Sequence, residues 1–217
     1  MQLVEVAVPD GNMESPMNPK LISRSRTAGF SLIEILIVVA IGFVLAAVAI
    51  PQAMGAYRTY KLNSAASQVA GILKFTRLEA IRQNKPVSFR SQVPAAGLTR
   101  LWTDEPTAAA PAGDGAAQPT ENQILLNTNA NFVAIGGVPN TAAITAALAA
   151  PALVGLTPAA TFFQFDQRGA VNPPAVYAIC IQNTGVPTAG YRAVIIMPSG
   201  AVQIWTADNA GNWRRTS

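Results

Sequence analysis

A single carboxylate, Glu34, stands inside an apolar run that extends from Phe30 to Ile50. A lone carboxylate in hydrocarbon costs roughly 3 kcal/mol on insertion scales unless it meets a cation or reaches the interface. Its presence therefore asks for a partner. Few other residues are placed to do chemistry. The chain has no histidine, which removes imidazole bases, histidine-dependent triads and imidazole metal sites. Its one cysteine, Cys180, excludes an internal disulfide and a cysteine cluster for metal. Lying in the middle of a strand-like run, it reads as a core residue rather than a nucleophile. Asp104, Glu105 and Asp166 fall at turns or in low-complexity sequence, with nothing evident to shift their ionisation. Ser31 and Ser199 have no histidine or obvious lysine partner. No cofactor or metal is expected, and the chain reads as a non-enzyme.

The net charge of +4 is modest but unevenly spread. Arg58, Lys61, Lys74, Arg77, Arg82, Lys85 and Arg90 are opposed only by Glu79 over that stretch. Such a segment is either a solvated helix face or a surface for lipid headgroups, nucleic acid or acidic protein. A second basic cluster, Trp213, Arg214 and Arg215, has the residue types for contacting phosphates and stacking on a base. The favoured reading is a solvated basic tail whose aromatic tucks onto a sheet.

The elements that must carry these residues follow from pattern. As a helix, Phe30–Ile50 extends about 30 Å, the thickness of a bilayer's hydrocarbon core. Lys20, Arg24 and Arg26 precede it, which puts the N-terminus in the cytoplasm and the body across the membrane. Two plainer readings compete for the same residues: a cleaved secretory signal, with Ala47-Val48-Ala49 as a small-x-small site, and an uncleaved signal anchor. Neither accounts for Glu34. Beyond Pro51, Leu62, Ala66, Val69, Leu73, Thr76 and Ala80 keep helical spacing, and Asn84 and Pro86 mark the end of the helix.

From there the pattern is one of short strands rich in β-branched and aromatic residues: 87–89, 98–102, 123–127, 132–135, 161–165, 176–182, 191–197 and 201–206. Pro198-Ser199-Gly200 and Asp166–Gly169 are the turns of two hairpins. The expected fold class is α+β, a long N-terminal helix packed on an antiparallel β-sheet domain of two layers. Two Ala/Pro-rich stretches, near 104–119 and 139–160, read as surface insertions, the second with a short helix around Ala142–Ala150.

Gly29-Phe30-Ser31-Leu32-Ile33-Glu34, the apolar helix after it and Pro51 together resemble the start of a type IV prepilin or a type II secretion pseudopilin. The resemblance implies a domain plan of leader 1–29, transmembrane helix 30–50, amphipathic continuation 51–84 and extracytoplasmic β-rich domain 85–217. It also implies cleavage between Gly29 and Phe30 by a prepilin peptidase, N-methylation of Phe30 and a helix kink at Pro51. Glu34 then serves peptidase recognition and assembly, pairing with the N-terminal amine of a neighbouring subunit. The family's leaders are short and basic, whereas residues 1–16 hold Glu5, Asp10 and Glu14 and no Lys or Arg. Met17 is therefore an alternative start to Met1.

The segment SQVAGILKFTRLEAIRQNKPVSF resembles the GspH/FimT family in its Arg77, Glu79, Ala80, Ile81, Arg82 or Lys85, and Val87, and FDQRGAV and PSGAV resemble that family's closing hairpins. The two Ala-rich stretches, near 104–119 and 139–160, correspond to nothing in it. The resemblance implies a pilin-like fold and a minor pseudopilin of type II secretion or a minor pilin of a type IV pilus. Its implied setting is the inner membrane, with the C-terminal domain periplasmic. Implied partners are other pilins or pseudopilins in a filament, with exoprotein cargo or DNA as further ones. DNA-binding members carry a Gly-Arg-x-Arg arrangement near the C-terminus. Here the sequence is Gly211-Asn212-Trp213-Arg214-Arg215, without the first arginine.

Overall fold

Helical spacing selects Leu62, Ala66, Val69, Leu73, Thr76 and Ala80 as one face, and all of them are buried in the computed structural model of the chain. The structure describes residues 30–92, 98–110, 113–126, 130–157, 162–183 and 189–216. It divides into two units, Met1–Leu45 and Ala46–Ser217. A helix, α1 (Leu32–Gln83), begins in the first and ends in the second. By length and composition α1 is apolar enough to cross a membrane, its most apolar window having a mean hydropathy of 2.9. In the first unit every large apolar side chain of the described residues, Phe30 through Leu45, is exposed.

Asn84 ends α1 in the left-handed region, at φ 52°. The Lys85 N–H donates to Ala80 O and the Asn84 N–H to Ile81 O, both at 3.2 Å. These two bonds are those of a Schellman closure, with Asn in the place usually held by Gly. Pro86 then prevents the helix from resuming.

The remainder of the second unit comprises β1 (Val87–Gln92), β2 (Arg100–Asp104), β3 (Gln123–Leu125), β4 (Ala130–Val133), α2 (Ala142–Leu148), β5 (Leu153–Gly155), β6 (Phe162–Phe165), β7 (Val171–Asn172), β8 (Val176–Asn183), β9 (Tyr191–Ile196), β10 (Val202–Ala207) and β11 (Arg214–Arg215). One sheet has the order β3-β2-β1-β6-β7 and the other β11-β10-β9-β8-β4. The two-layer expectation holds. All of these pairings are antiparallel, and β5 adds a short parallel pairing beside β8.

The layers meet in one core with α1. Phe89 and Phe163 from the first sheet and Tyr177, Ile179, Val194 and Ile196 from the second join Leu62, Val69 and Leu73 of the helix. Phe163 stacks on Tyr177 across the layers, with centroids 5.2 Å apart. Thr76 Oγ1, buried in this core, lies 2.8 Å from both Ile72 O and Thr103 Oγ1, so the helix hydroxyl is satisfied where it meets β2.

β8 and β9 of the second sheet are buried on both faces, and the 139–160 stretch, expected as a surface insertion, is exposed or half-exposed along most of its described length but seats Ile144 fully buried against the outer face. Along β8, Tyr177, Ile179 and Ile181 face α1, while Val176, Ala178 and Cys180 belong to a second cluster that includes Ile144 of α2 and Trp205. Successive strand residues point to opposite faces, so the continuous apolar run of β8 needed a cover on its far side, and the Ala-rich segment supplies it. Burial pushes the Cys180 thiol up to about 12, consistent with a packed core residue.

Candidate functional site

The first candidate site is the start of α1. Glu34 lies in the first turn of the helix, where exposed backbone N–H groups favour a carboxylate. Ile35 N–H donates to Ser31 O at 3.2 Å, so the backbone is already helical around it. The Glu34 side chain is exposed, and among the described residues no cation pairs with it. Phe30 is 76% exposed just before the helix, and Gly29 lies outside the described residues. Pro51 falls within α1, where it withholds a donor from the carbonyl of Ala47.

The second feature is a junction around Arg77, at which the helix and the two hairpin turns meet. Arg77 Nε–H donates to Gly169 O at 3.0 Å. Gly169 and Gly200 both hold φ of +77°, and a Cβ at either would fall against the Arg77 side chain, within 2.9 Å and 2.7 Å of Nε. A Cβ at Gly200 would also strike the carbonyl of Gly169. Val171 N–H donates to Pro198 O at 2.9 Å, tying the two turns directly. The segments FDQRGAV and PSGAV therefore converge on one helical arginine, a residue of both the basic stretch and the family-like helix pattern.

Glu79, two residues on, is 6% exposed and pairs with Arg82. The hydrogen bond from Arg82 holds its carboxyl below the usual carboxylate range, and Gln83 adds to the effect. Gln83 Nε2–H also donates to Glu105 Oε2 at 3.0 Å, which links the helix end to the loop after β2.

That loop is built on two carboxylates whose role the sequence did not reveal. Asp104, fully buried, pairs with Arg90 and accepts the Gly115 N–H at 3.0 Å. Glu121 accepts the N–H groups of Glu105 at 3.0 Å and Gln118 at 2.9 Å. Burial pushes the Glu121 carboxyl up despite these bonds. Each acidic side chain thus gathers loop backbone that has no strand to pair with. Their partners lie far away in sequence or are backbone groups, so no local motif announces them.

The basic C-terminal cluster is split by the fold. Trp213 is half-buried against the outer cluster, and its Nε1–H donates to Pro139 O at 3.0 Å. Arg214 and Arg215 are exposed on β11, opposite Thr206 and Trp205 respectively, so they point to different faces of the sheet. The three residues do not form one platform for a base and its phosphates.

Residues 24–50 match the family model for the prokaryotic N-terminal methylation motif, and residues 65–200 match the model for the type II transport protein GspH. Among solved structures, the type IV minor pilin FimU of Pseudomonas aeruginosa is similar at 19% identity and a TM-score of 0.42, the match covering 72% of this chain and 98% of that one. A second crystal form of that pilin gives 17% identity and a TM-score of 0.44, covering 73% and 94%. The minor pseudopilin EpsH from the type 2 secretion system of Vibrio cholerae gives 15% identity and a TM-score of 0.38, covering 72% and 97%. No curated protein sequence matches. Because the two family models match in chain order and the longer one takes in the junction at Arg77, Gly169 and Gly200, the chain belongs to the GspH family of type II transport proteins.

Proposed function

We propose that this chain is a minor pilin or pseudopilin, a filament subunit that is stored in the inner membrane through α1, cut by a prepilin peptidase between Gly29 and Phe30, N-methylated at Phe30 and assembled with other pilins through its helix. The observation that supports the reading is the match to the methylation motif over residues 24–50, ahead of the GspH match over 65–200 on the same chain. Cleavage before Phe30 creates a cationic amine, and a single methylation leaves its charge in place. Glu34 then gains the class of partner that it lacks among the described residues. Two buried opposite charges are favourable only together, because removing one strands the other at a cost of about 3–5 kcal/mol. The carboxylate thus specifies how the next subunit docks. Leu78, 64% exposed, and Phe75 three residues before it supply an apolar stripe on α1 suited to neighbouring helices.

In this reading the leader, whose Lys20, Arg24 and Arg26 flank the apolar run, stays cytoplasmic and the β-rich domain lies in the periplasm. Pro51 loosens the helix where its apolar half gives way to its amphipathic half. An exoprotein cargo suits a type II secretion filament. DNA contact through Trp213, Arg214 and Arg215 has weaker support, since the indole N–H is already bound to Pro139 O and the two arginines face apart.

The deciding experiment is mass spectrometry of the mature N-terminus of the chain purified from membranes. N-methylated Phe30 is the expected result. A chain beginning at Ile50 would mean ordinary secretion, and an unprocessed N-terminus would mean a plain signal anchor; either overturns the proposal.

A further inference from the structure

One cross-strand rung of the second sheet carries an unusual sequence of side chains. Ile181, Arg192, Thr206 and Arg214 pair in that order through β8, β9, β10 and β11. Directly paired residues share a face, and Ile181 places this one toward α1. Two arginines therefore flank a threonine hydroxyl on one face, about 10 Å apart at two strand spacings.

Arg192 is 6% exposed. Its Nε–H donates to Asn63 Oδ1 of α1 at 2.6 Å and Nη1 donates to Tyr191 O at 2.8 Å. A guanidinium has five N–H donors, so much of its capacity is left over. Among the described residues no carboxylate lies within ion-pair distance of it. A buried cation without a counterion is costly, by several kcal/mol in proteins. Arg192 lines two cavities, of about 310 Å³ beside Arg214 and about 500 Å³ beside Ser67, and Thr206 lines both. Space and the unused donors of Arg192 coincide there; Asp208 also lines the smaller cavity, but among the described residues it makes no ion pair with Arg192.

We propose that Arg192, Thr206 and Arg214 form a receptor for a carboxylate side chain, an Asp or Glu of a neighbouring subunit in the filament. A planar guanidinium edge matches a carboxylate with two parallel hydrogen bonds; Thr206 offers a hydroxyl and Arg214 a second positive charge. A duplex backbone fits less well. It needs several phosphates neutralised together, whereas Arg215 faces the other side of the sheet. Asn63 and Ser67 put the receptor next to α1, the element along which subunits pack. The identity of the occupant rests on the filament reading, while the carboxylate receptor does not.

Thermal unfolding of the full chain in detergent separates the two. Sodium glutarate, sodium phosphate and sodium chloride are compared at matched ionic strength. Glutarate is expected to raise the midpoint of the native protein by about 2–4 °C, to raise it less in Arg214→Gln and not at all in Arg192→Gln. The absence of a shift in the native protein, an equal shift in both variants, or a larger shift with phosphate than with glutarate overturns the receptor. For the occupant, a photo-crosslinker replacing Thr216 is expected to form an adduct in cells with a pilin-type subunit at a peptide containing Asp or Glu. Arg192→Gln should abolish that adduct. A filament-borne native chain that shifts with glutarate but forms no such adduct, or forms it equally in Arg192→Gln, overturns the neighbouring subunit as the source.

Discussion

Arg77 and Gly200, separated by more than half of the chain, are held so closely that a Cβ on the glycine would lie within 2.7 Å of the arginine Nε. The carbonyl of Gly169 lies between the two hairpins and accepts the Arg77 N–H at 3.0 Å. At φ +77° Gly200 already occupies a conformation that side chains resist, and a methyl group there would also strike that carbonyl. Gly200→Ala is therefore expected to destabilise the fold by about 2 kcal/mol or more. Arg77→Met, which keeps the stem and removes the donor, should cost about 1–3 kcal/mol. Thermal unfolding of the full chain in detergent reads both. A midpoint unchanged in Arg77→Met would show that the arginine is only a solvated surface charge.

The Ala-rich segment near 139–160 gives a second test. Ile144 of α2 is fully buried in the cluster on the outer face of the second sheet. Ile144→Ala should then cost about 2–5 kcal/mol, as in a core. A loop laid loosely on the surface would tolerate the change, with a midpoint close to that of the native protein.

Glu79 and Glu121 set opposite pH dependences. The Glu79 carboxyl is held below its ordinary range, so its contribution is fully present above the ordinary value and is lost as pH falls through the lowered one. The Glu121 carboxyl is pushed up by burial. In its window above the ordinary value the folded state binds more protons than the unfolded, and stability falls as pH rises through it. Unfolding midpoints followed across the carboxylate range should show Glu79→Gln flattening the acid side of the profile and Glu121→Gln removing the decline on the other side. The same profile in both variants would contradict the assignment.

Cys180 provides a chemical readout of the core. With its thiol raised to about 12 and 1% exposed, almost no thiolate is available for attack. Alkylation by iodoacetamide at mildly alkaline pH should be far slower than for a free thiol and should accelerate once denaturant opens the fold. Prompt labelling of the folded chain would show the outer cluster to be open.

How much of this was legible in the sequence depended on how local the signal was. The buried face of α1 repeats over many turns, and Asn84 followed by Pro86 marks its end, so both could be read. The longer strands could also be read, because alternation or a continuous apolar run shows over several residues. At two or three residues each, β5, β7 and β11 are too short to establish a period. Alanine-rich sequence carries little pattern, so the cover over β8 looked like an insertion even though the apolar run of β8 implied one. Arg77, Asp104 and Arg192 act through partners brought close only by sheet pairing or by the helix; in sequence Arg77 was one residue of a basic stretch and of a family-like helix pattern, Asp104 a turn carboxylate, and Arg192 carried no signal. The motif at Gly29, Phe30 and Glu34 stood out because its residues are adjacent.

That motif supports the most consequential expectation. Glu34 sits in the first turn of α1 with no cation among the described residues, and the partner proposed for it is the amine created by cutting before Phe30 on another chain. Glu34→Ala should leave cleavage before Phe30 largely intact, its part in peptidase recognition being minor beside that of Gly29 at the cut bond, but should impair entry into the filament. If a buried charge pair is the cause, Glu34→Gln should fail as Glu34→Ala does, since an amide keeps the shape and loses the charge. Glu34→Asp should recover part of the function. Sheared-surface or crosslinked filament fractions, compared with the membrane pool and with the N-terminal mass of each variant, separate a processing defect from an assembly defect. Incorporation of Glu34→Gln at the native level would mean that shape rather than charge is recognised, and the ion-pair account would fail with it.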